Sequence, residues 1–452
     1  MVSNHNEKTQ NSKLKTQNSQ RVAYIAAGAA NMYCGACTRD LHLVRGLIAR
    51  GVDVQVIPLY TPLRNEVGDT LPLSPVHLGG INAYLQQMSP RFAALPAALH
   101  QWLDRPGLLT WAGQFAVKTD PRQLGAMTVS VLEGQDGRQR SEIARLLRFL
   151  REEIRPDMVC LTNSLLSGVA PAVKAELGLP VLCSLQGEDQ FLGALPEPHR
   201  ARAQARVRAN AGAIDLFVAP GAHYAAEMAD WLAVPPARIR LVYAGIDGDA
   251  FLRERPRAHS PFIVGYLSVI NRAKGLHLLV EGFARFQRQT QADAQLHIAG
   301  RVLDAGYWRA IHHTIRAEGL TDRVTIAGEV DFDGKREFLQ QCSVLVMPSR
   351  LPETRAMVAL EAQAAGLPVI APEIGIFPEL FEQTRGGLLV PPEDPAALAA
   401  ALTQLYANPA TADLLGRNGA TGIAAHFTVA RMAEQMHAAI TELLAPSEIL
   451  SS

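Results

Sequence analysis

The chain has 452 residues, of which 48% are hydrophobic and 19% are charged, with 43 basic and 43 acidic side chains. This length predicts more than one domain, and the composition is that of a globular protein with sizeable cores. Because the charges balance, no overall field attracts nucleic acid or an anionic membrane, and we expect no nucleic-acid partner.

The first residues are polar. Residues 1–20 lack the apolar segment that a signal peptide needs, and no later run approaches the roughly 18 apolar residues of a membrane span. We therefore predict a disordered N-terminal tail over residues 1–20 and a cytoplasmic location.

The next residues alternate between strands and helices. The run "VAYIAAG" predicts a buried strand, "TRDLHLVRGLIARG" an amphipathic helix that ends at Gly51, and "DVQVIPLY" a second strand. The same alternation returns from "PDMVCLT" to "IRLVYAGID", which indicates a parallel sheet covered on both faces. Residues 64–140 interrupt this pattern, and "RFAALPAALHQWL" predicts a helix on an insertion that forms a lid or an acceptor pocket.

A second domain is predicted by the repetition of this scheme. The polar, proline-containing segment 247–261 marks a boundary. Strands and helices then alternate again from "FIVGYLSV" to "PAALAAALTQLYANP". We predict two tandem doubly wound α/β domains that face a cleft, over residues 21–250 and 261–427. Ligands of such sheets bind beyond the carboxyl ends of the strands.

Cysteines and histidines give little support for a metal site. Cys34 and Cys37 in "MYCGACTRD" are compatible with a redox dithiol or half a zinc site, but the other cysteines lie in apolar runs. We favour a tight loop before a helix N-terminus, where small residues permit close approach of a ligand. His312 and His313 have no partner at metal-ligand spacing.

Two glutamates stand eight positions apart in "LPETRAMVALEAQAAGLPVIAPE". Glu353 follows a strand in a loop, and Glu361 lies in the helix that begins after it. A fully helical interval would separate them by about 12 Å. The two acids of a glycosidase stand roughly 5 to 9.5 Å apart. The spacing therefore disfavours a hydrolase and favours an elongated ligand with hydroxyls at both ends and an anion between them, as in a nucleotide sugar.

These residues resemble a known family. The two glutamates, followed by "EAQAAGLPVIAPEIGIFPEL" and "GGLLVPPEDPAALAAAL", are similar to the C-terminal half of retaining family 4 glycosyltransferases of the GT-B fold. "GLHLLVEGF" and "IRLVYAGIDGDAF" extend the resemblance across most of the chain. "MYCGACTRD" resembles a bacterial subgroup with an N-terminal Met-Tyr-Cys-Gly motif.

The resemblance implies roles for individual residues of the second domain. Glu353 would contact hydroxyls of the donor sugar, Glu361 would bind the ribose, and Lys274 would neutralise the diphosphate, with Arg272 beside it. The remaining donor-binding positions would be Thr354, Arg355, Ala356, Met357, Gly265 and Arg301. By analogy with the family, we predict that residues 428–446 form a helix that crosses the hinge.

On the acceptor or sugar side, the resemblance assigns Gly35, Gln186, Gly187, Glu188 and Asp189. The chain also departs from the family. Tyr266 and Val269 stand where an arginine is expected, Gln186 replaces a histidine, and Thr354, Arg355 and Ala356 replace glycines. Arg355 offers an additional fork-shaped contact to phosphate or sugar.

The implied function is transfer of a hexose from an NDP-sugar, in particular a UDP-sugar, to a hydroxyl acceptor in polysaccharide, glycolipid or small glycoside synthesis. No metal or other cofactor is expected, because Lys274 and helix amides would face the phosphates. The alternatives are a catalytically degenerate sugar-nucleotide-binding protein and an NDP-sugar 2-epimerase. The arginine-rich run 198–210 is compatible with a weak peripheral membrane contact, although it lacks an apolar face.

Overall fold

The computed structural model describes residues 20–27, 35–59, 121–252 and 260–445. Residues 1–19 of the predicted tail, the Met-Tyr-Cys part of the N-terminal motif and the predicted helix "RFAALPAALHQWL" lie outside these residues.

The first domain contains a six-stranded parallel sheet in the order β2-β1-β3-β4-β5-β6. Its strands are β1 (Arg21–Ala26), β2 (Asp53–Pro58), β3 (Met158–Leu161), β4 (Val181–Ser184), β5 (Leu216–Ala219) and β6 (Ile239–Leu241). Its helices are α1 (Gly35–Ala49), α2 (Pro121–Leu132), α3 (Arg140–Phe149), α4 (Ala170–Leu177), α5 (Glu188–Gly193), α6 (His199–Asn210) and α7 (Ala222–Leu232).

The second domain repeats this architecture with the strand order β12-β11-β10-β7-β8-β9. Its strands are β7 (Phe262–Leu267), β8 (Ala294–Ala299), β9 (Val324–Gly328), β10 (Val344–Val346), β11 (Val369–Pro372) and β12 (Gly387–Val390). Its helices are α8 (Leu276–Thr290), α9 (Ala305–Ala317), α10 (Phe332–Gln341), α11 (Met357–Ala364), α12 (Phe377–Thr384), α13 (Pro395–Ala407) and α14 (Pro409–His426). The last helix of the described residues is α15 (Val429–Leu444).

Both sheets are covered by helices on two faces. Strands such as β3 and β11 are buried at every residue, as parallel sheets require when both faces pack against helices. Each sheet separates two apolar clusters, one per face. The predicted fold class, two tandem doubly wound α/β domains, is confirmed.

One helix forms where the sequence pattern is irregular. Helix α2 carries a glycine at position 125, and a Cβ there would lie 2.8 Å from Cβ of His199 in α6. The close packing of α2 on α6 therefore stabilises a helix in a segment whose helix propensity alone predicts it poorly.

The chain passes between the domains twice. The Ile246 N–H donates to the Phe427 carbonyl at 2.9 Å, and the Val429 N–H donates to the Ile246 carbonyl at 3.2 Å, so the two crossings lie side by side. Helix α15 then packs on α1 of the first domain. A Cβ at Gly46 would lie 2.6 Å from Cβ of Ala433, which shows how closely these helices approach.

No helix in these ranges combines the length and the apolar character needed to cross a bilayer.

Candidate functional site between the two domains

The loop between β10 and α11 carries the first glutamate of the predicted pair. Ile376 N–H donates to the Glu353 carbonyl at 2.8 Å, which fixes the backbone of this loop on the β11–α12 connection. Gly375 has φ +60°, and a Cβ there would lie 2.5 Å from the Glu353 carbonyl oxygen. A glycine is therefore required at this position to hold Glu353 in place.

Lys274 meets Glu353 at the carboxyl ends of β7 and β10. Lys274 Nζ forms an ion pair with Glu353 Oε1, and Ser349 Oγ donates to the same oxygen at 2.7 Å. The lysine lies in a turn that Asn271 caps, since Asn271 Oδ1 accepts from the Lys274 N–H at 3.1 Å. A Cβ at Gly275 would lie 1.9 Å from the Pro348 carbonyl, so only glycine lets this turn pack against the loop.

Helix α11 begins at Met357, four positions after Glu353, so its N-terminus lies beside this loop. Thr354 and Ala356 are buried, while Arg355 and Met357 are partly exposed. Ala356 has φ +47°, a left-handed conformation that glycine adopts more easily. Ala356 therefore has a backbone conformation that suits glycine, at one of the three positions where the family resemblance implies a glycine.

Glu361 is buried in α11 and paired with a lysine that the sequence analysis did not identify. Lys335 Nζ lies 2.7 Å from Glu361 Oε1, and the side chains are 13% and 7% exposed. The ammonium also lies 5.5 Å from the ring centroids of Phe251 and Phe332. The signal for this pair in the sequence was weak, because Lys335 occupies an ordinary position in an amphipathic helix.

One further predicted donor-binding position, Gly265, and its neighbour Tyr266 lie in the strand β7. Gly265 lies within β7, where a Cβ would lie 2.5 Å from Cys342 Sγ, so its small size serves packing against α10. Tyr266 is also buried, and its hydroxyl donates to the Val269 carbonyl at 3.2 Å. Burial raises the pKa of Tyr266 well above its ordinary value.

Arg272 and Arg301 stand outside the Lys274–Glu353 pair. Arg272 is exposed, while Arg301 is partly exposed and its carbonyl accepts from the Ile270 N–H at 2.8 Å. Burial, and then the positive charges of Arg272 and Arg350, lower the pKa of His277 below its ordinary value. This side of the cleft is therefore rich in positive charge.

Gln186 connects the two domains across the cleft. Its Nε2 donates to the Thr162 carbonyl at 2.6 Å, and its Oε1 accepts from Arg355 Nη1. Behind it lies a buried network in which Asp40 Oδ1 accepts from the Tyr24 hydroxyl at 2.8 Å and from Arg39 Nη1 at 3.0 Å. This network was not predicted from the sequence, where Gln186 lies 146 positions from Asp40.

The two acids after Gly187 have different surroundings. Glu188 is buried and accepts from the Gln186 N–H at 2.7 Å and the Ser164 N–H at 2.9 Å. Burial raises the pKa of Glu188, and these N–H groups oppose the rise. In this structure the Glu188 carboxylate holds the loop together, and its predicted contact with acceptor or sugar stays a prediction.

Asp189 faces the space between the domains. Its Oδ1 accepts from the Tyr224 hydroxyl at 2.6 Å, and the same hydroxyl accepts from the Gly187 N–H at 2.9 Å. The neighbouring Gln190 Nε2 donates to the Pro352 carbonyl of the second domain at 2.7 Å. Gly35 opens α1, and its surroundings lie outside the described residues.

Arginines of α6 make contacts within the protein. Arg200 pairs with Glu197 at 2.7 Å, Arg202 pairs with Glu133 at 2.9 Å, and Arg208 donates to the Trp231 carbonyl at 2.6 Å. These contacts give the run a structural role on the surface, and its predicted membrane contact stays a prediction. Among the described residues, no group of three or more His, Cys, Asp or Glu side chains is placed to hold a metal ion.

Two family models match the chain. The model described as "Glycosyltransferase Family 4" matches residues 126–250, and the model described as "Glycosyl transferases group 1" matches residues 249–421. Together they span more than half of the chain.

Similar proteins of known name include two bacterial enzymes. The D-inositol 3-phosphate glycosyltransferase of Arthrobacter sp. (strain FB24) is 29% identical over 397 residues, which cover 81% of this chain and 91% of that protein. The alpha-D-kanosaminyltransferase of Streptomyces kanamyceticus is 29% identical over 187 residues, which cover 41% of this chain and 47% of that protein.

Solved structures share the fold. Sucrose-phosphate synthase from Thermosynechococcus elongatus matches with a TM-score of 0.68 and 21% identity over 94% of this chain and 99% of that chain. Anabaena Alr3699/HepE, solved in complex with UDP, matches with a TM-score of 0.65 and 15% identity over 94% of this chain and 100% of that chain. At these identities the likeness establishes the fold and leaves the ligand open.

Proposed function

Since the chain is a glycosyltransferase of the GT-B fold that carries a group 1 domain over residues 249–421, we propose that it transfers a hexose from a UDP-sugar to a hydroxyl acceptor. We further propose that the anomeric configuration is retained and that no metal ion takes part. The observation that carries the proposal is the meeting of Lys274, Glu353 and the N-terminus of α11 in the interdomain cleft.

The diphosphate would lie at the N-terminus of α11. Helix N-termini favour anions because their first amides have no partner within the helix and the helix dipole is positive there. Lys274 adds a positive charge at the same place, and an ammonium group with three protons can donate to Glu353 and to a phosphate oxygen together. These groups would stabilise the negative charge that develops on the departing nucleotide, which is the largest contribution expected in such a reaction.

Glu353 would orient the donor sugar. Lys274 and Ser349 both donate to Oε1, which fixes the carboxylate and leaves Oε2 to accept from sugar hydroxyls. Glu361 would accept from the ribose hydroxyls at the other end of α11. The acceptor hydroxyl would attack the anomeric carbon on the face from which the diphosphate leaves. The new bond joins the acceptor oxygen to that carbon, the bond to the diphosphate breaks, and the acceptor proton passes to a phosphate oxygen.

Release of UDP from UDP-glucose and related donors tests this proposal. We expect UDP release to continue in the presence of EDTA. In NMR spectra, the anomeric proton of the transferred sugar should show the same type of coupling constant as the anomeric proton of the donor. Lys274→Met is expected to lower kcat by about 100-fold or more, as loss of one preorganised charge contact does in comparable sites. Glu176→Gln, on the surface of α4, is the matched control and should retain activity. An inverted product would refute the mechanism, and wild-type activity in Lys274→Met would refute the site.

The contact between Arg355 and Gln186 supports one alternative. It lies across the cleft beside the amides proposed for the diphosphate, so a protein that binds a sugar nucleotide without turning it over is compatible with this geometry. Calorimetric binding of UDP-sugars together with no release of UDP under any condition would favour that alternative.

A further inference from the structure

A cavity of about 230 Å³ lies between the domains beside Glu353. Helices α5 and α7 of the first domain form one wall, and the loops at residues 352–354 and 375–376 of the second domain form the other. The cavity is smaller than the roughly 300 Å³ at which drug-sized sites begin, so it suits a single ring. Any ring bound there lies next to the carboxylate that we propose to hold the donor sugar.

The cavity offers an aromatic and apolar surface on the side of α7. Trp231, Tyr224 and Met228 line it there, and Ile376 lines it from the second domain. Arg208 restrains Trp231 from outside, because its guanidinium carbon lies 5.9 Å from the ring centroid and its Nε donates to the Trp231 carbonyl. Aromatic side chains with a restrained orientation pack well against the C–H face of a hydroxylated ring.

Three carboxylates line the cavity, those of Asp189, Glu227 and Glu353. Glu353 is paired with Lys274, and Glu227 Oε1 lies 3.3 Å from His223 Nε2, which also lines the cavity. Asp189 already accepts from Tyr224 and retains further acceptor capacity as a carboxylate. No lysine or arginine lines the cavity within the described parts of the chain.

A second, wider cavity continues the first one and has the same charge. It measures about 640 Å³ and shares His223, Pro352 and Gly375 with the smaller cavity. Its lining adds the carboxylates of Glu373, Glu379 and Glu382. Among the described residues, it contains no lysine or arginine. The described lining of both cavities therefore disfavours anionic groups, and Lys274 is paired with Glu353 at the edge of the smaller cavity.

We infer that the smaller cavity is the seat of the acceptor and takes a hydroxylated six-membered ring that bears an ammonium group, the chemistry of amino sugars and aminocyclitols. The ring packs on Trp231 and Ile376, its ammonium lies between Asp189 and Glu227, and a hydroxyl faces the donor sugar at Glu353. The carboxylates of the described lining disfavour a phosphorylated ring. The inference rests on the proposed function, because an acceptor is needed only if the chain transfers a sugar.

Calorimetric binding measurements test the inference with three probes that share the glucose ring and differ in charge. They are glucosamine, glucose and glucose 6-phosphate, each measured with and without saturating UDP. Glucosamine is expected to bind about fivefold more tightly than glucose for each carboxylate it contacts, since a partly exposed ion pair contributes on that order. Glucose 6-phosphate is expected to bind most weakly. Binding of glucose 6-phosphate as tight as that of glucosamine would overturn the inference.

Variants locate the binding. Glu227→Gln and Asp189→Asn should reduce the preference for glucosamine over glucose and leave glucose binding within twofold, while Trp231→Leu should weaken both and Trp231→Phe should restore both. Glu176→Gln is the control outside the cavity. A glucosamine preference that survives the double variant Asp189→Asn/Glu227→Gln would also overturn it. These binding measurements do not require turnover, so the two ideas can fail separately. If no donor releases UDP, the proposed function is wrong. If turnover is intact but the rings bind weakly, only this inference is wrong.

Discussion

Replacing Lys335 by methionine tests the buried ion pair beneath the proposed nucleotide site. The substitution keeps an unbranched apolar stem and shortens the side chain by one heavy atom, so the contacts with Phe251 and Phe332 lose mainly their cationic part. The Glu361 carboxylate, whose side chain is 7% exposed, loses the ammonium that lies 2.7 Å away. Removing one partner of a buried pair typically lowers the free energy of unfolding by about 3–5 kcal/mol, because a buried charge loses its compensation.

Urea unfolding followed by circular dichroism measures this loss. The double variant Lys335→Met/Glu361→Gln removes both charges and should recover most of the lost stability, since neutral pairs of similar size are often tolerated. Arg336→Met, one position further along α10, is the matched control. Arg336 lies 3.5 Å from an aspartate that is 81% exposed, so its loss should change the free energy by about 0.5 kcal/mol or less.

Two results would refute the reasoning. If Lys335→Met is as mild as Arg336→Met, the pair contributes nothing to the fold. If the double variant is as unstable as the single one, the cost comes from packing and not from a buried carboxylate that has lost its ammonium partner. Under the proposed function, Lys335→Met should also raise the KM for the donor sugar nucleotide more than it changes kcat, because it disturbs the orientation of Glu361 far from the reacting bond.

Three further predictions concern backbone strain and titration. Gly375→Ala should lower kcat/KM more than tenfold, because the added Cβ displaces Glu353. Gly366→Ala is the control, since Gly366 also has a positive φ but an added Cβ meets open space there. It should lower the free energy of unfolding by about 1 kcal/mol and leave kcat/KM unchanged. Ala356→Gly should raise the free energy of unfolding by up to about 1 kcal/mol in thermal melts by relieving its left-handed conformation, and an unchanged or lower melting temperature would contradict this. The pKa of His277 is lowered in the fold, so wild-type stability should fall as the pH drops below about 6.5, and His277→Gln should flatten this loss between pH 7 and 5.

Local periodicity predicted the architecture well. Strands such as β1 and β7 are continuous apolar runs because both faces of each sheet are covered, and helices such as α8 carry a clear 3.6-residue pattern. The cleft followed from the rule that ligands lie at the carboxyl ends of parallel strands. Helix α2 was not recognised, because its contact with α6 is made far along the chain and its own sequence contains proline and glycine.

Side-chain partners were much harder to predict than backbone elements. Lys274 was identified as a site residue, but its ion pair with Glu353 joins residues 79 positions apart. The link between Arg355 and Gln186 spans 169 positions. Glu188 illustrates a different difficulty. In sequence it is indistinguishable from Asp189, yet it is buried against backbone N–H groups while its neighbour faces the cleft.

Each glutamate of the motif forms an ion pair with a different lysine. This bears on phosphate binding, because Tyr266 and Val269 stand where the family resemblance implies an arginine. Lys274 comes from the turn after β7 and pairs with Glu353, whereas Lys335 comes from α10 and pairs with Glu361. Tyr266 is buried and cannot replace an arginine at the phosphates. Lys274 would therefore have to serve both the sugar-binding carboxylate and the diphosphate. Lys274→Arg tests this double role: a planar guanidinium should preserve charge but misplace the shared contact, so kcat should fall while the donor still binds, and unchanged kcat would show that charge alone is sufficient.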